Sequence, residues 1–146
     1  GMQFTFPGIP VIWAGDEFGL DGWNGENSRT PLPWNNEREH DTSMIEEYAA
    51  LAALRKANPA LVDGSMRFLY SSAEALVFIR ENKNQSILVS VTRGEDPKIS
   101  FPIDAVASIE QAKIIHGHGK IKLSKKKITL SGQKMSFNVW RLPATD

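Results

Sequence analysis

Two adjacent carboxylates, Asp16 and Glu17, are the side chains of this sequence best suited to acid–base chemistry. They follow, after a two-residue corner, the apolar run Ile-Pro-Val-Ile-Trp at residues 9–13. Such a run is typical of a strand buried on both faces in a parallel sheet, and side chains beyond the end of that kind of strand often line active sites. Because adjacent residues at a strand end point to opposite faces, the two carboxylates are not expected to flank one bond. We expect them to brace the next loop, with Glu17 paired to Arg29; contact with substrate is the alternative.

Aromatic side chains offer a second kind of chemistry, since flat apolar rings can stack on sugars. Trp23 and Trp34 lie in a segment, residues 19–42, that is rich in glycine, asparagine and proline. It reads as a long loop, and long loops in compact proteins are usually functional. A substrate-side role for these two tryptophans and a role without sugar contact both remain open. Trp13 lies within the apolar run and is predicted to belong to the core.

The remaining chemistry-bearing groups favour simpler interpretations. His116 and His118 share the spacing of zinc ligands on one strand face, but no third ligand is evident, so a turn or an exposed edge is predicted. Five lysines lie between residues 120 and 127 without interleaved aromatics, a pattern that favours a solvated edge strand over nucleic-acid binding. The sequence predicts no metal site and no cofactor.

Composition narrows the class of protein. The chain has 146 residues, 41% of them apolar, and 17 basic residues balance 17 acidic ones. That balance is typical of a folded domain without a global attraction to nucleic acid or to an anionic membrane. There is no cysteine, hence no disulfide framework, and no apolar run long enough to span a bilayer. A cytoplasmic location is the expectation.

Periodicity divides the chain into unlike parts. A helix is predicted over residues 43–57, with Ser43 and Glu46 at capping-box spacing and with Arg55 and Lys56 suited to the negative end of its dipole. Alternating patterns after residue 64 then predict an antiparallel sandwich of short strands. The predicted strands are 66–70, 75–80, 86–91, 98–101, 112–116, 121–123, 127–131 and 135–141.

Three segments, in order, resemble the α-amylase superfamily (family thirteen glycoside hydrolases). Residues 7–17, Pro-Gly-Ile-Pro-Val-Ile-Trp-Ala-Gly-Asp-Glu, are similar to the segment around the eighth strand of that family's catalytic (β/α)8 barrel, with Ala14 replacing one of two aromatics. Residues 27–34, Asn-Ser-Arg-Thr-Pro-Leu-Pro-Trp, resemble the loop after that strand, with Leu32 in place of Met. Residues 51–61, Leu-Ala-Ala-Leu-Arg-Lys-Ala-Asn-Pro-Ala-Leu, match the last barrel helix.

The resemblance implies a mainly β fold: an antiparallel Greek-key β-sandwich, residues 61–146, preceded by a strand–loop–helix remnant of a (β/α)8 barrel, residues 1–60, that is not self-sufficient. It implies a longer enzyme that cleaves α-glucosidic bonds of an α-glucan or maltooligosaccharide by a retaining mechanism, which needs two facing carboxyl groups. The family carries its catalytic carboxylates on earlier barrel strands. We therefore expect no catalytic residue and no activity in this chain alone.

Two alternatives to a purely supporting role remain. One is a non-catalytic carbohydrate-binding β-sandwich module. The other is an assembly role: the apolar face of the predicted helix would either fold back on the sandwich or mediate self-association.

Overall fold

Helices precede strands along the chain. A computed structural model describes residues 1–20, 32, 42–94, 99–131 and 134–143. The helices are α1 (Met2–Thr5), α2 (Thr42–Ala57) and α3 (Ala60–Asp63), with a 3-10 turn at Asp16–Phe18. The strands are β1 (Ser65–Ser71), β2 (Ala75–Asn82), β3 (Gln85–Thr92), β4 (Ile99–Pro102), β5 (Lys113–His116), β6 (Lys120–Leu123), β7 (Lys127–Ser131) and β8 (Ser136–Pro143). The predicted helix and all eight predicted strands are confirmed, with ends shifted by one or two residues.

The strands form two antiparallel sheets. The larger has the order β1-β2-β3-β8-β5 and the smaller the order β4-β7-β6. The chain passes between the sheets after β3, and β8 returns to lie between β3 and β5. This return of a late strand beside an early one is the Greek-key feature of sandwiches. The predicted mainly antiparallel β-sandwich is therefore confirmed.

The core of the sandwich lies between the two sheets. Val77, Ile79 and Leu88 of the large sheet face Phe101 and Ile128 of the small one, and all are buried. Trp140 and Leu142 of β8 belong to the same cluster. Successive residues of a strand point to opposite faces, so these residues account for one face of each strand only.

A second apolar cluster covers the outer face of the large sheet. Phe78, Ile87 and Val139 lie there against Leu54 of α2 and Leu61 of α3. Because both faces of the central strands are buried, β2 and β3 are almost continuously apolar instead of alternating. The helices thus fold back on the sandwich, which was one of the two expectations for the apolar helix face.

The strand predicted at residues 9–13 is wrong. This segment has no regular secondary structure, and Ile9 is 90% and Trp13 60% exposed, so the predicted core position of Trp13 is wrong as well. A buried strand needs neighbours that pair with its backbone and cover both faces. None of the strands in the described part of the chain pairs with this segment. The loop predicted at residues 19–42 lies mostly outside the described residues.

Candidate functional site

The Gly-Asp-Glu corner is a tight turn held by its own carboxylates. Asp16 begins the 3-10 turn Asp16–Phe18, and its Oδ2 accepts a hydrogen bond from the Trp13 N–H at 3.3 Å. Glu17 Oε2 accepts one from the Gly15 N–H at 3.1 Å. The two side chains are thus placed by a turn, whereas the sequence analysis predicted a position at the end of a strand. Each carboxylate is engaged with backbone just before it.

Gly15 makes this corner possible for two reasons. Its φ of +100° lies in the left-handed region that side-chain-bearing residues rarely adopt. A Cβ at this position would also lie 2.5 Å from Leu20 Cδ1. The turn closes through hydrogen bonds from the Leu20 and Phe18 N–H groups to the Gly15 carbonyl, both at 3.0 Å. Any larger residue at position 15 would therefore have to change the path of the turn.

The geometry of the corner suits bracing. Both acidic side chains accept backbone N–H groups, and charge-assisted bonds of this kind hold a turn in one conformation. Arg29, the predicted partner of Glu17, lies outside the described residues, as do Trp23 and Trp34. The Glu17–Arg29 pair and the sugar-stacking roles therefore stay predictions.

The segment that leads to the corner is held by Arg55 of α2. The side chain is buried, and its Nη1 donates to the carbonyl oxygens of Phe4 at 2.8 Å and Phe6 at 3.1 Å. Its Nη2 donates to the Gly8 carbonyl at 2.5 Å. Arg55 was predicted only to complement the dipole of its helix. It instead fixes alternate carbonyls of the N-terminal segment, which a planar guanidinium can do because it presents several donors in one fork.

Arg80 of β2 holds the same region from the sandwich side. It is fully buried, and its Nη1 donates to the carbonyls of Thr5 at 2.7 Å and Leu61 at 3.0 Å. Its Nη2 and Nε donate to Gly64 at 2.8 Å and Ser65 at 3.2 Å. One side chain thereby joins the end of α1, the end of α3 and the start of β1. We call Arg55 and Arg80 together the arginine clamp.

The clamp is electrostatically unusual, because neither guanidinium forms an ion pair with a described carboxylate. Burial lowers the pKa of both arginines, and the charge of Arg55 lowers the pKa of Arg80 further, whereas Asp63 raises it. Compensation comes from carbonyl dipoles, several of them at helix ends where C=O groups lack intrahelical partners. A buried charge satisfied in this way depends on every one of those carbonyls staying in place.

Sequence reasoning missed the role of the clamp, although one signal pointed to Arg80. In β2 the alternation Leu76, Phe78, Arg80 places the arginine on the helix-covered face. An arginine that continues an apolar face is a candidate for burial with hydrogen-bond partners. The identity of those partners could not be predicted, since backbone carbonyls carry no signature in the sequence.

His116 and His118 do not converge on a metal site. His116 lies on the edge strand β5, where its Nε2 is 3.1 Å from Glu47 Oε1 of α2, and its ring packs against Phe137. The backbone N–H of His118 donates to Asn138 Oδ1 at 2.9 Å. Within the described ranges, no group of three or more His, Asp or Glu side chains is arranged to hold a metal ion. No described helix is long and apolar enough to cross a membrane.

The described residues form an antiparallel β-sandwich with helices packed on its larger sheet and a glycine-cornered acidic turn beside α2. No protein-family profile matches the chain. Curated relatives do: it is 35% identical over 107 residues to a cyclomaltodextrinase of Geobacillus thermopakistaniensis, covering 71% of this chain and 18% of that protein. It is 32% identical over 99 residues to α-amylase 2 of Dictyoglomus thermophilum, covering 62% of this chain and 17% of that protein. The chain therefore spans less than a fifth of the length of these relatives.

Solved structures show the same fold. The debranching enzyme of Nostoc punctiforme superposes with a TM-score of 0.80 at 19% identity, covering 95% of this chain and 29% of that one. The α-amylase of Geobacillus thermoleovorans, solved with acarbose, superposes with a TM-score of 0.80 at 18% identity, covering 99% and 32%. The chain belongs to the α-amylase superfamily of glycoside hydrolases and is consistent with a C-terminal fragment of such an enzyme.

Proposed function

We propose that this chain is the supporting C-terminal part of an α-glucan-acting glycoside hydrolase. Residues 1–60 would be the last βα unit of a catalytic barrel and residues 61–146 the sandwich that holds its end. The observation that carries this proposal is the arginine clamp. Arg80 of the sandwich and Arg55 of α2 hold the segment that leads into the family's Gly-Asp-Glu corner. In this role Asp16 and Glu17 brace the corner and do not take part in bond cleavage.

The names of the relatives support a substrate and an activity for the proposed longer enzyme. Proteins named cyclomaltodextrinase, α-amylase and neopullulanase are among the matches, which favours maltooligosaccharides or related α-glucans as substrates. Retaining hydrolysis needs two carboxyl groups about 5–5.5 Å apart across the scissile bond. Asp16 and Glu17 are instead each bonded to backbone N–H groups of their own turn. We therefore expect the chain alone to be inactive.

A hydrolysis assay tests this proposal. The purified chain is incubated with maltoheptaose and with β-cyclodextrin, and reducing ends are counted against an enzyme-free control and an active cyclomaltodextrinase. No release above the control is the expected result. Hydrolysis that is lost on Asp16→Asn or Glu17→Gln would overturn both the supporting role and the bracing assignment. An upstream, in-frame barrel sequence in the gene would support the proposed origin independently.

The same samples test the two alternatives. Titration with maltoheptaose while tryptophan emission is followed would reveal a carbohydrate-binding module as saturable quenching. Self-association is tested by light scattering. Because Leu51 and Leu54 of α2 are already buried within the chain, we expect a monomer; a dimer lost on replacing exposed α2 alanines such as Ala52 with Glu would contradict this.

A further inference from the structure

An open cavity of about 570 Å³ lies where β3, β5 and β8 reach the same end of the large sheet. Its lining comes from the β2–β3 turn, the 3-10 turn Ile109–Gln111 and the starts of β3 and β5, together with the end of β8. The residues are Asn84, Gln85, Gln111, Lys113, Arg141, Leu142 and Pro143. None of the described residues that line it is acidic. The volume is within the usual range for a small-molecule site.

Two cations face each other at this cavity. Lys113 of β5 and Arg141 of β8 are directly opposite in the antiparallel pair, so their side chains leave the sheet on the same face. Like charges in this position repel and destabilise the pair. Neither has a described carboxylate within 4.0 Å. An anionic group bound between them would remove the repulsion.

The amide side chains at the cavity could form hydrogen bonds with a ligand. Gln85 Oε1 is buried and has no hydrogen-bond partner among the described residues. A buried polar atom in this state calls for a donor. Because the oxygen is shielded from solvent, the Gln85 side chain has to rotate toward the cavity before a ligand hydroxyl can reach it. Asn84 and Gln111 carry further amides that both donate and accept. The cavity thus offers cations for an anion and amides for hydroxyl groups.

We propose that this cavity binds a small hydroxylated anion of the sugar-phosphate class. The phosphate group lies between Lys113 and Arg141, where Arg141 supplies paired N–H donors and Lys113 a point charge. The sugar hydroxyls meet the amides of Gln85, Asn84 and Gln111, and Leu142 and Pro143 form the apolar wall. The site is independent of the proposed supporting role, since it uses neither the corner nor the arginine clamp.

Calorimetric titration of the full chain with glucose 6-phosphate, inorganic phosphate and glucose tests the proposal. We expect saturable binding of glucose 6-phosphate, weaker binding of phosphate and the weakest binding of glucose. Arg141→Gln and Lys113→Gln should each weaken glucose 6-phosphate binding roughly tenfold, as expected for the loss of one charge-assisted contact.

The matched control is Lys122→Gln, which removes the same charge from an exposed site on β6 of the other sheet. Its effect should stay within about twofold, because Lys122 does not line the cavity and salt screens exposed charges. Thermal melts of all variants establish that they fold. The proposal fails if glucose 6-phosphate does not saturate, if glucose binds equally tightly, or if Lys122→Gln weakens binding as much as Arg141→Gln.

Discussion

Two apolar segments of this chain have opposite fates. Residues 9–13 form an apolar run that lies exposed, with Ile9 at 90%, whereas Val77, Phe78 and Ile79 form one that is fully buried. The difference is not composition but neighbours: β2 has β1 and β3 on its two sides and an apolar cluster on each face. An apolar run therefore predicts a tendency to be buried, and the surrounding elements decide whether burial occurs.

The exposed segment is nevertheless attached to the sandwich. Arg55 and Arg80 donate hydrogen bonds to the carbonyls of Phe4, Thr5, Phe6 and Gly8, immediately before the run begins. Gln3 adds a bond from its side-chain amide to the Val11 carbonyl. The segment is thus ordered by hydrogen bonds from its neighbours, while the sandwich is ordered by its own apolar core. These two sources of order should respond differently to substitution.

The largest contrast is expected between two tryptophans. Trp140 is 3% exposed in the core between the sheets, so Trp140→Ala should lower the free energy of unfolding by about 3–5 kcal/mol. Trp13 is 60% exposed, so Trp13→Ala should change it by less than about 0.5 kcal/mol. Urea unfolding followed by far-UV circular dichroism measures both without relying on indole emission. Equal losses would show that residues 9–13 share the core of the sandwich.

Most of the fold could be predicted from periodicity, and the exceptions have a common cause. The strands and α2 follow patterns that side chains alone express. The strand prediction at residues 9–13 was wrong because the sequence of a segment does not specify which strands will pair with it. Helix α3 was missed because it has only one turn, and Pro59, which ends α2, also serves as its N-cap. Of the candidate site, Asp16 and Glu17 were recognised, but the clamp was missed because its acceptors are backbone carbonyls.

The next largest effect is expected at Arg80. Arg80→Met keeps much of the buried volume but leaves four backbone carbonyls without their donor, and we expect a loss of about 3 kcal/mol in the free energy of unfolding. Arg67 on the neighbouring strand is the matched control. Its ion pair with Glu81, at 3.3 Å, is exposed to solvent, so Arg67→Met should cost less than about 1 kcal/mol.

A conservative variant keeps this test decisive if Arg80→Met does not fold. Arg80→Lys retains the charge but presents one ammonium where the guanidinium reaches four carbonyls. Its stability should therefore fall between that of Arg80→Met and that of the native chain. A lysine variant as stable as the native chain would show that charge alone, and not the fork of donors, holds the junction.

A smaller and more local effect than at Arg80 is expected at Arg55, which links the N-terminal segment to α2. Arg55→Met removes donors to Phe4, Phe6 and Gly8 but leaves Arg80 on Thr5, so we expect a global loss of about 1–2 kcal/mol. Amide hydrogen exchange in residues 1–20 should quicken, while exchange in β2, β3 and β8 should follow only the global change, because local opening and core unfolding are separate events. If exchange quickens uniformly in both regions, the N-terminal segment and the sandwich form one cooperative unit, and the clamp is part of a shared core instead of a link between two kinds of order.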